Sequence, residues 1–370
     1  MQIVFIPDPA LSALESALER LQLNSDIQAV LMMSCAQNQY PPQAFNELLR
    51  RGPKPVFGGF FPQVIWQQQL HEQGVVLLGL SCEVSLTILD ESQLQMVKLE
   101  SQLADLVAEA EPFKETLFTF VDGLSPHIGR MMTALFNHYG LELNYIGGGC
   151  GNSEFSPMPC VITPRGVLED AAVLAMAHCH SGIGVAHGWE AISGAFKVTQ
   201  SDGNRILSLD WQPAYSVYRR VVEAHSGTCL TEQNYPQLAK AYPFGIAMLG
   251  AEMVIRDPVH RIDEALGCVG AIRQGAYVHV MHGEKGKLIQ AAQQAKERAF
   301  LSFGAAHPQA MIFVNCISRA LFLGEDSASE LTAVWQDGIP LLGALTVGEI
   351  ANSGGDYLDL YNKTSVVGLL

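Results

Sequence analysis

The chain has 370 residues, of which 48% are hydrophobic and 16% charged, and its formal net charge is −15. This composition is typical of a globular protein, and the acidic balance argues against nucleic-acid or anionic-membrane surfaces, which need clustered Lys and Arg. No apolar run reaches the roughly 18 residues of a membrane span, and no secretory signal opens the chain. The eight cysteines are scattered without a CxxC pair, so we expect reduced thiols in a cytoplasmic protein.

Three segments share one pattern, in which an apolar strand, an amphipathic helix and a second apolar strand follow one another. They cover residues 28–61, 116–151 and 310–349. Continuous apolar strands around such a helix indicate βαβ crossovers with buried strands. Their recurrence early and late in the chain predicts a mixed α/β fold with βαβ-like pseudo-repeats.

The segment between the second and third units has a different pattern. Residues 158–210 form short apolar runs separated by Gly, Asp, Asn and Ser, which predicts an antiparallel meander. The turn SDGNR, residues 201–205, has the chemistry of a tight hairpin. Helices are predicted from about Pro213 to Ala224 and over residues 285–300.

A linker-like stretch near residues 226–236 suggests a division into two domains, 1–228 and 229–370. The last residues, TSVVGLL at 364–370, are rich in β-branched side chains. We therefore expect the end of the chain to form a strand inserted in a sheet.

The stretch GIGVAHGWEAI, residues 182–192, places His187 and Trp189 at the end of an apolar run. Strand alternation puts both on one face and the small residues, including Gly188, on the other. The small neighbours leave room on the face of His187 for a planar group, and haem iron accepts a single protein histidine. A core histidine with both nitrogens hydrogen-bonded explains the same residues equally well.

Other residues give weaker indications of chemistry. His178 and His180 alternate at a strand end and could chelate a metal, but no third ligand stands at a recognisable spacing. An exposed hairpin tip is the simpler interpretation, and His180 is kept as a reserve ligand.

The glycines of IGGGCGN, residues 146–152, lack the Lys of a P-loop and suit a close approach of the backbone to another backbone or to a flat ligand. No nucleophile elbow or carboxylate pair is visible, so no catalysis is predicted.

Several short motifs in order resemble the FIST sensory family, a two-part ligand-sensing module of bacterial signalling proteins. The amino-terminal part resembles it at PVFGGFFPQVIW, IGGGCGN and GVAHGWEAI. The carboxy-terminal part does so at AYVHVMHGE, FVNCISRALFLGE, LLGALTVGEIANSGG and LYNKTSVVGLL. The GGFFPQ-like string is most similar to that of stand-alone haem-containing nitric-oxide sensors.

The resemblance implies haem b, nitric oxide binding and control of a partner histidine kinase or cyclic-di-GMP enzyme in a two-component pathway. It does not identify the iron ligand. The residue pattern makes His187 the predicted ligand, within a site that includes Trp189, Gly188 and His180.

The family also suggests a sensor for a small metabolite such as an amino acid, without haem. Asn204, Glu349 and Asn362, in strand-end loops, are the candidate residues for hydrogen-bonding it. The sequence leaves open whether the chain forms a homo-oligomer.

Overall fold

The computed structural model describes residues 1–103, 114–248, 252–352 and 358–370. Its strands are β1 Gln2–Ile6, β2 Ala29–Cys35, β3 Val56–Phe61, β4 Gln63–Trp66, β5 Gln69–His71, β6 Val75–Leu80, β7 Val84–Leu89, β8 Thr116–Asp122, β9 Asn144–Cys150, β10 Val161–Thr163, β11 Gly166–Leu168, β12 Ala172–Ala177, β13 Gly182–Ala186, β14 Trp189–Ala191, β15 Phe196–Asp202, β16 Arg205–Leu209, β17 Gln212–Pro213, β18 Phe244–Ile246, β19 Val254–Arg256, β20 Pro258–Ile262, β21 Ala265–Cys268, β22 Tyr277–Gly283, β23 Met311–Cys316, β24 Leu341–Thr346, β25 Glu349–Asn352, β26 Leu358–Tyr361 and β27 Ser365–Leu369.

The α-helices are α1 Leu11–Leu23, α2 Pro42–Arg51, α3 Glu91–Leu94, α4 Ile128–Tyr139, α5 Ala214–Ser226, α6 Tyr235–Ala239, α7 Lys285–Phe303, α8 Ile317–Leu323 and α9 Ser327–Val334. Short 3₁₀ helices cover Ala36–Asn38, Leu99–Gln102 and Gly324–Asp326. The predicted helices over 213–224 and 285–300 are confirmed as α5 and α7. Within the described ranges, no helix is both long and apolar enough to cross a membrane.

The three predicted crossover units are confirmed. Strands β2 and β3 pair in parallel around α2, and β8 and β9 do so around α4. Strands β23 and β24 pair in parallel around α8 and α9. All three first strands are buried along their whole length, which explains why they read as continuous apolar runs.

Each parallel pair forms the two central strands of a six-stranded sheet. The three strand orders are β1-β6-β2-β3-β10-β11, β7-β12-β8-β9-β25-β26 and β13-β27-β23-β24-β4-β5. In each sheet the remaining neighbours are antiparallel. The chain is therefore built on three equivalent repeats, and the mixed α/β class with pseudo-repeats is confirmed.

The repeats exchange strands. After β3 the chain leaves its own sheet, and β4 pairs with β24 of the third repeat. After β24, β25 pairs with β9 of the second repeat, and after β9, β10 pairs with β3 of the first. Each repeat thus completes another one's sheet, so no repeat has a complete sheet of its own.

Glycines occupy matching positions in β3, β9 and β24, strands that also contact one another. A Cβ there would lie 2.0, 1.8 and 1.9 Å from the carbonyl oxygen of the paired residue in the neighbouring parallel strand. These glycines and partners are Gly58 with Met32, Gly147 with Thr119, and Gly343 with Phe313. Between sheets, a Cβ on Gly149 would lie 2.1 Å from the Val347 carbonyl oxygen. For Gly147 and Gly149, this confirms the interpretation of the glycines of residues 146–152 as sites of close backbone approach.

An antiparallel sheet is inserted into the third repeat, between β13 and α7. It has the order β19-β18-β22-β15-β16-β21-β20, with β14 beside β22 and β17 beside β16. The predicted hairpin at residues 201–205 is its β15–β16 turn. The inserted sheet places GVAHGW, residues 184–189, at the junction between the repeats and the insertion.

The predicted meander over residues 158–210 needs a correction. Its strands exist and pair antiparallel, but β10–β11, β12, β13 and β15–β16 belong to four different sheets. The alternation of apolar and polar residues shows that a segment is a strand. It carries no information on which other strand is its partner.

The predicted boundary at residue 228 does not coincide with a boundary between sheets. Strands β14–β17 precede it and β18–β22 follow it, yet they form one sheet. As a division of the sequence, the boundary stays a prediction. The terminal strand is confirmed, because β27 lies between β13 and β23 and is fully buried.

Candidate functional site

Strand β13 carries the motif GIGVA and ends just before His187. Its side chains alternate as predicted: Ile183 and Val185 pack in the core shared by the repeats, whereas Ala186 packs with the alanines of α7. The glycines also face α7. A Cβ on Gly184 would lie 1.9 Å from the Ala295 carbonyl oxygen.

Gly188 continues this face beyond the strand. A Cβ on it would lie 2.6 Å from the Lys287 carbonyl oxygen, and its φ of +78° suits glycine. Helix α7 therefore packs directly against the face that carries the small residues, whereas the room was expected on the opposite face, that of His187.

We expect Gly184→Ala to destabilise the protein by about 1–3 kcal/mol, since the new methyl group has to push α7 away from β13. The matched control is Gly286→Ala, in the first turn of the same helix, where an added Cβ meets nothing within 4 Å. Urea unfolding of both variants measures the difference. Equal free energies of unfolding would contradict the tight β13–α7 contact.

His187 is buried, and both of its ring nitrogens are engaged. Nδ1 accepts a hydrogen bond from the backbone N–H of Trp189 at 2.9 Å, and Nε2 lies 3.1 Å from a carboxylate oxygen of Glu252. The ring proton therefore sits on Nε2 and points at Glu252. The hydrogen bond from His187 and the nearby Arg298 hold the pKa of Glu252 down, at about 2.

Trp189 anchors the inserted sheet to the repeats. Its Nε1 donates to the Lys363 carbonyl oxygen at 3.0 Å, and the Lys363 ammonium lies 4.9 Å from the ring centroid. That ammonium also contacts a carboxylate oxygen of Asp257 at 3.1 Å. Trp189 is 3% exposed and packs with Leu288 and Met281. Trp189 is therefore part of the packed core.

His180 lies at the opposite end of β13 from His187, a separation of roughly 20 Å along an extended chain. Its Nε2 is 2.9 Å from the Phe303 carbonyl oxygen, and its ring packs on that of Phe303. The structure therefore brings His187, Gly188 and Trp189 together and places His180 elsewhere.

Arg319 of α8 links the junction between the repeats and the inserted sheet. The sequence by itself did not identify this residue. Arg319 is fully buried, and Nε and Nη2 both donate to Glu330 Oε1, at 2.9 and 2.6 Å. Nη1 donates to the carbonyl oxygens of His187 and Lys363, and Nη2 to that of Leu288. All five guanidinium N–H groups are thus used. We call Arg319, Glu330 and these carbonyls the Arg319 network.

The network continues to the carboxyl ends of β23 and β24, where ligands commonly bind in parallel sheets. Asn315 donates to the second oxygen of Glu330 at 2.7 Å, and Ser365 donates to Asn315 Oδ1 at 3.2 Å. A charged side chain inside the apolar helix ISRALFL was the available sequence signal, because a buried arginine needs a buried partner.

Glu349 lies at the same edge and is fully buried. Thr346 donates to one carboxyl oxygen at 3.0 Å, and the backbone N–H of Thr364 donates to the other at 3.2 Å. Burial raises the pKa of Glu349 to about 8, against its ordinary value of 4.5. At neutral pH it is mostly a carboxylic acid that can donate a hydrogen bond.

This raised pKa predicts a pH dependence of stability. The folded state keeps the Glu349 proton up to about pH 8 and the unfolded state only up to about 4.5, so this group's contribution to stability is lost as pH rises between those values. We expect Glu349→Gln to gain stability relative to the parent chain from pH 5 to 8, by at most about 1.4 kcal/mol per pH unit. Urea unfolding at four pH values measures it. The exposed control Glu297→Gln should lack the trend, and a flat difference for Glu349→Gln would contradict the raised pKa.

Of the residues considered for a metabolite, the structure brings two together. Glu349 pairs with Tyr361 across β25 and β26, and Asn362 follows directly. Asn362 is buried, and its Oδ1 has no hydrogen-bond partner among the described residues. Asn204 lies apart in the inserted sheet, where it donates to the Cys268 carbonyl oxygen.

Two surface clefts lie away from these residues. One of about 320 Å³ belongs to the insertion and is lined by Glu232, Tyr235, Pro236, Val259, His260, Arg261 and Asp263. The other, of about 470 Å³, is lined by Gln37, Leu70, His71, Glu72 and Gln73. Among the described residues, no three His, Cys, Asp or Glu side chains converge to hold a metal ion.

Comparison with known families gives two matches. A model described as the FIST N domain matches residues 28–212, and one described as the FIST C domain matches residues 214–352. No curated protein matches the chain.

Proposed function

Because the chain belongs to the FIST family, whose domains are signal-transduction sensors, we propose that it binds a ligand and thereby regulates a partner histidine kinase or cyclic-di-GMP enzyme in the cytoplasm. The Arg319 network carries the proposal. It joins the carbonyl oxygen of His187, in the FIST N match, to Arg319 and Glu330, in the FIST C match. The proposal assigns no catalytic step to the chain.

The network suits a two-state device. Arg319 and Glu330 are buried, so a displacement of the His187 backbone would leave part of a charged group without its hydrogen bonds, which is costly. Such a contact favours discrete arrangements over gradual movement. A ligand that binds one arrangement better shifts the equilibrium toward it.

The proposed ligand is haem b with nitric oxide, on the strength of the family resemblance. The arrangement around His187 does not fit an iron ligand. Its Nε2 faces Glu252, and a neutral ring ligating through Nε2 would carry its proton on Nδ1, against the N–H of Trp189. His187 as iron ligand stays a prediction, and it requires Glu252 and this hydrogen bond to be displaced.

An absorption spectrum tests the ligand. The full chain, expressed with a haem precursor, is expected to show a Soret band that shifts with nitric oxide, and a colourless protein would contradict haem binding. His187→Ala then tests the ligand assignment: loss of the band supports His187, whereas an unchanged band removes it. Either way, we expect His187→Ala to cost about 1–3 kcal/mol of stability, because Glu252 and the Trp189 N–H lose their partner.

A small polar metabolite is a second candidate, favoured by the pair of Glu349 and Asn362. A protonated carboxyl can donate and the unengaged Asn362 Oδ1 can accept, which suits a molecule with both kinds of group. Thermal-shift measurements with free amino acids test it on the colourless protein. A rise in Tm that Glu349→Gln abolishes supports this site, and no rise with any amino acid contradicts it.

A further inference from the structure

Two cysteines face each other between the repeats. Cys82 lies in the connector from β6 to β7, and Cys179 in the connector from β12 to β13. In the β7–β12 ladder Val84 pairs with Ala177, and one step further the His178 N–H donates to the Glu83 carbonyl oxygen at 2.9 Å. Cys82 and Cys179 are the next residues along these two connectors, and their thiols lie close enough to shift each other's pKa.

The geometry suits a disulfide. The backbone hydrogen bond between Glu83 and His178 holds the two connectors side by side one residue from the thiols, and a disulfide spans Cα atoms roughly 4.4–6.8 Å apart. Both thiols are free in this structure and only partly buried. The two connectors are thus already neighbours, and an oxidant can reach the pair.

The two thiols have different chemical roles. The hydrogen bond from Cys179, helped by the nearby His178, lowers the pKa of Cys82, whereas the same hydrogen bond and burial raise the pKa of Cys179. The directions of these two shifts favour Cys82 as the nucleophile and Cys179 as the resolving thiol. Burial instead raises the pKa of five other thiols, those of Cys35, Cys150, Cys160, Cys268 and Cys316.

We propose that Cys82 and Cys179 form a reversible redox pair that a hydroperoxide oxidises to a disulfide. The Cys82 thiolate attacks hydrogen peroxide, takes one oxygen to become a sulfenic acid, and releases hydroxide. The Cys179 sulfur then attacks the Cys82 sulfur. The S–S bond forms, the S–OH bond breaks, and the hydroxide leaves with the Cys179 proton as water. A dithiol reverses the oxidation.

The bond would tie the connector between the first and second repeats to the connector between the second and third. Cys179 stands three residues before β13, and Thr116 holds this connector by donating to the Cys179 carbonyl oxygen at 2.9 Å. The cross-link would enclose the whole second repeat, so it restricts the unfolded chain and should raise Tm. This role does not depend on the identity of the sensed ligand.

Peptide mapping tests the proposal on the full chain. The reduced protein is treated with equimolar hydrogen peroxide, blocked with N-ethylmaleimide and digested without reductant. We expect one linked pair, the Cys82 and Cys179 peptides with the loss of two hydrogens, a higher Tm, and full reversal by dithiothreitol. Oxidation that leaves this pair alkylated, while the exposed Cys229 reacts, would overturn the proposal.

Single variants separate the two roles. Cys179→Ser should leave a Cys82 sulfenic acid that dimedone traps, Cys82→Ser should leave Cys179 reduced, and the control Cys229→Ser should form the link at the parent rate. A Cys179 that oxidises in Cys82→Ser would overturn the assigned order. If a variant fails to fold, the mapping of the parent protein still decides between a linked and an unlinked pair.

Discussion

Deleting residues 364–370 is expected to leave insoluble protein. The deletion removes β27 from between β13 and β23, and it exposes two strand edges at once. Val366, Val367 and Leu369 are fully buried, and burying three such side chains stabilises a protein by roughly 5–9 kcal/mol. That is comparable to the whole net stability of a typical domain, about 5–15 kcal/mol.

The measurement is the soluble fraction after expression, followed by a thermal melt. The control is deletion of residues 1–6, because β1 is an edge strand whose one partner among the described strands is β6, and it is mostly not fully buried. We expect this control to stay folded with a lower Tm. A soluble 364–370 deletion that melts cooperatively would show that β27 is dispensable.

Arg319→Met is expected to cost about 3–5 kcal/mol, since it leaves the buried Glu330 carboxylate without its cation. The carbonyl oxygens of His187, Lys363 and Leu288 lose a donor in the same step. The free energy of unfolding in urea measures the loss.

The matched control is Lys285→Met, which breaks an ion pair with Asp326 that is about half exposed on both sides. Such a pair contributes about 0–1 kcal/mol. The double variant Arg319→Met with Glu330→Leu should recover part of the loss, because no buried charge remains, although the three carbonyls stay without Arg319. A single-variant loss no larger than that of the control would show that the Arg319 network does not hold the junction.

Strand exchange gives these predictions a common basis. Each repeat completes another repeat's sheet, so the three sheets share chain segments. The cysteine pair lies between repeats, whereas the GVAHGW stretch and the Arg319 network lie where the inserted sheet joins the third repeat. We expect the signal of this sensor to pass through them.

The sequence by itself determined the elements that depend on local pattern. The crossover units at 28–61, 116–151 and 310–349 were predictable because fully buried strands read as unbroken apolar runs. The terminal strand and the close backbone approach at the glycines of residues 146–152 follow from the same residue-level chemistry. These features can be predicted without knowing which distant segments of the chain pack against them.

Only the tertiary structure decided which segments meet. Periodicity shows that one face of β13 is buried, but not that α7 covers Gly184. Likewise, residues 82 and 179 become neighbours only through the β7–β12 register. Arg319 comes near His187 because β13 and β23, which precede them, lie on either side of β27 in one sheet. Pairing of distant segments depends on the summed burial of the whole core, which no local window of sequence contains.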